Sequence, residues 1–92
     1  MKNNLILVVD DEPSMIELLE YNLEKEGFEV ASAQDGDEAL RKFQELSPDL
    51  IVLDVMMPGK DGFYVCREIR RFSKVPIIML TAKASEMNKV VG

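Results

Sequence analysis

Hydrophobic residues in this chain fall into two kinds of segment that alternate along it. Leu5-Ile-Leu-Val-Val9, Leu50-Ile-Val-Leu53 and Ile77-Ile-Met-Leu80 are short, unbroken apolar runs. Such runs predict strands buried on both faces, as in a parallel sheet. Phe28-Glu-Val-Ala-Ser32 alternates instead, which predicts a more exposed strand. Between the runs, apolar positions recur at helical spacing. Ile16, Leu19 and Leu23, with Met15 and Leu18 beside them, predict a first helix that Pro13 opens and Gly27 closes with a left-handed cap. Ala39, Leu40, Phe43 and Leu46 predict the buried stripe of a second helix. Asp35-Gly36 turns the chain into it, Asp37-Glu38 places acid in its first turn, and Ser47-Pro48-Asp49 ends it. Val65, Cys66 and Ile69 mark a third helix, and Ala84 to Val91 begins a fourth with Ser85 as N-cap.

The resulting order, β-α-β-α-β-α-β-α with short connections, predicts an α/β fold. It implies one doubly wound parallel sheet with right-handed crossovers and helices on both faces. A strand order of 2-1-3-4 sets the first and third strands side by side, and the ligand crevice of such a sheet lies beyond the strand ends at that switch point. Both strands stop there on acid: Val9 runs into Asp10-Asp11, and Leu53 runs into Asp54. Three carboxylates at one sheet edge repel one another unless they share a proton or hold a cation.

Composition narrows the chemistry. A chain of 92 residues with 47% apolar content fits one small domain. The absence of histidine excludes imidazole-based acid–base catalysis and His-containing zinc sites. Cys66 is the single cysteine, so no internal disulfide can form, and it reads as a small core hydrophobe. A net charge of -6 argues against nucleic-acid binding by this chain. No apolar run reaches the length of a membrane span, and Met1-Lys2-Asn3-Asn4 leads straight into a strand, so the expectation is a cytoplasmic protein without a membrane segment.

Carboxylate chemistry remains. Asp10, Asp11 and Asp54 with a loop carbonyl make a hard-oxygen set suited to Mg2+. Asp54, alone at its strand end, is the best-placed nucleophile for attack on phosphorus, which forms an aspartyl phosphate. Thr81, at the end of the fourth strand, could set a hydroxyl on a phosphate oxygen. Glu12 reads as a solvated first-turn acid, and Asp35, Asp37 and Asp61 as residues that cap or precede helices. Arg67, Arg70, Arg71 and Lys74 read as favourable charge at a helix C-terminus, and the six methionines as core filling. No G-x-x-x-x-G-K-[ST] occurs to cradle a triphosphate. Asp54-Val55-Met56 also lacks the second acid, two residues on, of an aspartate-based hydrolase.

Three motifs occur in order: Val8-Val9-Asp10-Asp11-Glu12, Asp54-Val-Met-Met-Pro58-Gly-Lys-Asp-Gly62 and Pro76-Ile-Ile-Met-Leu-Thr81-Ala82. Together they resemble the receiver domain of two-component response regulators (CheY-like), a similarity that runs from Leu5 to Gly92. The resemblance implies a flavodoxin-like fold with Asp54 as phosphoacceptor. It implies that Asp10 and Asp11 are the acidic pair that holds Mg2+, with Asp54 and the Met56 backbone carbonyl as further ligands, and that Thr81 is the switch hydroxyl. It also implies a sensor histidine kinase as partner, and no catalysis beyond the domain's own phosphorylation and dephosphorylation. The stretch around Thr81 is similar to that of receivers attached to winged-helix domains, which implies a parent role in transcription control. In the family a fifth strand, carrying a lysine that pairs with the phosphoryl group, and a last helix follow. This chain ends at Gly92 before both, so residues 1–92 are expected to form a single, C-terminally incomplete receiver domain. An open apolar edge on the fourth strand then predicts a homo-oligomer, by edge pairing or exchange of the last helix. The alternative function is a phosphorylation-independent, receiver-like interaction module, or an inactive fragment that associates through that edge.

Overall fold

The computed structural model describes residues 4–54 and 62–80. Four strands, β1 (Leu5–Val9), β2 (Glu29–Ala33), β3 (Leu50–Asp54) and β4 (Ile77–Leu80), form one parallel sheet in the order β2-β1-β3-β4. Interleaved with them are α1 (Pro13–Lys25), α2 (Gly36–Leu46) and α3 (Gly62–Arg70). This is the expected doubly wound order, and β1 and β3 are neighbours in the register Leu7↔Ile51 and Val9↔Leu53.

Alternation of side chains divides the continuous runs between two cores. Leu7, Val9, Ile51 and Leu53 pack with Ala39, Val65 and Ile69 on the side covered by α2 and α3. Ile6, Val8 and Val52 pack with Ile16 on the side covered by α1. A central strand therefore needs apolar residues at every position, which is why β1 and β3 read as unbroken runs. Each fully buried Leu, Ile or Val contributes about 1.5–3 kcal/mol relative to exposure. The outer strand β2 stays partly exposed, as its alternating sequence suggested, although its burial does not alternate residue by residue.

The structure corrects several details. β2 begins at Glu29 rather than Phe28, because the Phe28 N–H donates to the Leu23 carbonyl at 3.2 Å and so belongs to the end of α1. Met15 and Leu18 are 40% and 55% exposed, since the narrow inward stripe of α1 is filled by Ile16, Leu19 and Leu23. Met15 is therefore not core filling. Leu46 is also exposed, in the last turn of α2, just before Ser47 takes up a left-handed φ of 49° and ends the helix. In β4, Ile78 is 49% exposed, and among the described residues no strand lies along the edge away from β3. Gly27 has φ 98°, with nothing within 4 Å of where a Cβ would stand, so the turn needs its backbone freedom and not its small size. Among the described residues no helix is long and apolar enough to cross a membrane. The helix expected over 84–91 and the expected cap Asp61 lie outside the described residues.

Candidate functional site

The register Val9↔Leu53 carries each chain one step further into acid, so Asp10 and Asp54 arrive level at the carboxyl edge of the two central strands. By alternation both share the parity of Val8 and Val52, the residues on the α1 side. Both aspartates are only 7% exposed, whereas Asp11, at the turn into α1, is exposed. One carboxylate oxygen from each of Asp10, Asp11 and Asp54 can be chosen so that all lie within 4.8 Å of one another.

Asp10 is held by its backbone and by its side chain. Its N–H donates to the Ala33 carbonyl at 3.1 Å, which extends the β1–β2 ladder past the end of the strands. Its Oδ1 accepts from the Glu12 N–H at 2.9 Å. Glu12 is the N-cap residue of α1 and makes no side-chain cap there, so the turn's tie to the site is a backbone donor. Glu12 is otherwise a solvated acid, as expected.

Burial pushes the Asp10 carboxyl above its ordinary value of 3.8; the Glu12 N–H works the other way, and the charges of Asp54 and Asp11 add to the rise. A cation on these oxygens would remove the repulsion that causes part of that shift. Three carboxylates without sulfur or imidazole suit a hard, oxygen-seeking ion, so the donor set fits Mg2+.

Of the residues expected at the site, Asp10, Asp11 and Asp54 are brought together. Met56, Thr81 and Pro58 lie outside the described residues. Gly62 begins α3 and is buried. Cys66 packs, partly buried, against the larger core, which matches its reading as a small hydrophobe. Sequence reasoning missed the joint between β2 and α2, where Glu38 and Lys42 bind the backbone of residues 32 and 34. The signal was present in Asp35-x-x-Glu38, a helix-start spacing in which the acid at the fourth position reaches back toward the cap.

Known proteins agree with this arrangement. Residues 6–92 match the family described as the response regulator receiver domain. Chemotaxis response regulator CheY4 of Vibrio cholerae is 37% identical, with a TM-score of 0.86 over 96% of this chain and 76% of that one. Response regulator protein TrrA from Thermotoga maritima, in complex with Mg(2+)-BeF, is 45% identical, with a TM-score of 0.84 over 95% of this chain and 76% of that one. A chain from the crystal structure of histidine kinase ThkA in complex with TrrA is 50% identical, with a TM-score of 0.79 over 86% of this chain and 69% of that one. Fold order, acidic cluster and family match coincide: the chain belongs to the response regulator receiver domains, the phosphoacceptor modules of two-component systems.

Proposed function

We propose that Asp54 is the acceptor of a phosphoryl group delivered by a sensor histidine kinase. The observation that carries this reading is the meeting of three carboxylates, two of them buried, at the switch point of the sheet. Asp10, Asp11 and Asp54, with the Met56 backbone carbonyl, would hold Mg2+, which when bound neutralises the carboxylates and stabilises charge on the transferring phosphoryl group. An Asp54 oxygen attacks phosphorus, and the bond from phosphorus to the donor's imidazole nitrogen breaks. With Mg2+ bound, Asp10 and Asp11 would direct their negative charge at the cation, and an Asp54 oxygen would be the nucleophile. The Thr81 hydroxyl donates to a phosphoryl oxygen and passes the modified state to the surface. Residues 1–92 act as one receiver unit, with transcription control as the role of the parent regulator. The complex of histidine kinase ThkA with TrrA, which contains a chain 50% identical to this one, supports a histidine kinase as donor.

Incubation with Mg2+ and a small acyl phosphodonor, followed by intact-mass measurement, tests the assignment. One added phosphoryl group in the native protein and none in Asp54→Ala is the expected result. Undiminished modification of Asp54→Ala would overturn it.

A second reading concerns β4. Ile78 is half exposed on a strand whose outer edge has no strand partner among the described residues, which supports self-association by pairing of that edge with a second copy. Light scattering should then give the mass of a dimer at micromolar concentration, and a stable monomer contradicts it.

A further inference from the structure

The joint between β2 and α2 is built by side chains that take no part in phosphoryl transfer. Asp35 caps α2, its Oδ1 accepting from the Glu38 N–H at 2.8 Å. The Glu38 side chain reaches back past that cap, and its Oε1 accepts from the Gln34 backbone N–H, also at 2.8 Å. Lys42, one turn further along, places Nζ 3.3 Å from Glu38 Oε2 and donates to the Ser32 carbonyl. The pair thus grips the backbone on both sides of Ala33. Ala33 is buried, and its own carbonyl is the acceptor of the Asp10 N–H.

The other i,i+4 ion pair of α2 is a useful contrast. Arg41 and Glu45 are 3.7 Å apart and both well exposed, as an ordinary helix-surface pair would be. Glu38 and Lys42 are half as exposed, and each also bonds a backbone group of residues 32–34. The Gln34 N–H, and after it Lys42, hold the Glu38 carboxyl below its usual range, so it is an ionised acceptor at neutral pH.

We propose that Glu38 and Lys42 are positioning residues of the acidic site. They fix the segment Ser32–Gln34, that segment fixes the Ala33 carbonyl, and the Ala33 carbonyl fixes the Asp10 amide and hence the direction of its carboxylate. The inference rests on Asp10 being a metal ligand. Residues that orient a ligand govern metal affinity without touching the ion. Here the effect passes through a backbone carbonyl, so a smaller loss is expected than for a group bonded directly to a ligand.

Calorimetric titration with Mg2+ and site-resolved amide exchange, both on the full chain, test the proposal. Glu38→Ala should weaken Mg2+ binding by about three- to tenfold. It should also speed exchange of the Asp10 amide relative to Ile6, Leu7 and Val8 in the same strand. Glu38→Gln, which keeps an oxygen for the Gln34 N–H, should recover most of both. Gln44→Gly weakens α2 from its exposed side without touching the joint, and should lower the melting temperature while leaving Mg2+ affinity within about twofold. Lys42→Met, a milder change, should give a loss in the same direction if Glu38→Ala does not fold. Native-like affinity in Glu38→Ala, or in Lys42→Met, or an equal loss in Gln44→Gly, would overturn the positioning role. Failure of the native protein to bind Mg2+, or native affinity in Asp10→Asn, would instead overturn the metal-site assignment beneath it.

Discussion

At the scale of the residue, Asp10 carries opposed demands. Burial and the neighbouring acids favour its protonated form, while metal binding needs it charged. With its folded pKa raised, the native protein keeps, between the unfolded and the folded value, a proton that the unfolded chain has already released. Its contribution to the metal-free fold is therefore full below the unfolded value and is lost as pH rises through the folded one. The same proton competes with the cation, so Mg2+ affinity should climb with pH across that window and level off above it. Asp10→Asn keeps an oxygen for the Glu12 N–H while removing the charge. It should raise the metal-free melting temperature at pH 7 by roughly 3–6 °C and abolish the further rise that Mg2+ gives the native protein. Scanning calorimetry with and without Mg2+ checks this, and a metal-free variant that melts below the native protein contradicts it.

At the scale of the element, local signals were read where one interaction dominates. Pro13, Gly27 and Asp35 opened, closed and capped helices as their chemistry requires. The unbroken runs of β1 and β3 read correctly because a doubly covered strand has no polar position. Errors came where tertiary packing decides. Leu46 and Leu18 sit at helical spacing but are exposed, and spacing alone does not say where the sheet stops. The Glu38–Lys42 joint was missed, because only the folded corner brings the carbonyl of Ser32 within reach of Lys42. Ser47 offers a direct check. It ends α2 in the left-handed region at φ 49°, which costs a side-chain-bearing residue more than glycine. Ser47→Gly should therefore stabilise the fold by about 0.5–1 kcal/mol, seen as a higher urea midpoint with an unchanged slope.

At the scale of the whole molecule, alternating runs predicted the strand order, and the strand order placed the acids. Asp10 and Asp54 are 44 positions apart, and nothing local relates them; the adjacency of β1 and β3 does. The three-carboxylate cluster was thus legible in sequence, whereas the direction in which Asp10 is held was not, since it depends on bonds from Glu12 and Ala33. The central claim is that this cluster exists so that one of its members, Asp54, can carry a phosphoryl group. The measurement that tests it most directly locates the covalent bond itself. Protein treated with Mg2+ and a small acyl phosphodonor is reduced with borohydride, which converts an aspartyl phosphate to homoserine, and is then digested and sequenced by tandem mass spectrometry. Homoserine at position 54 and nowhere else is the predicted result. Homoserine at Asp10, Asp11 or another acid, with position 54 left as aspartate, would contradict the account.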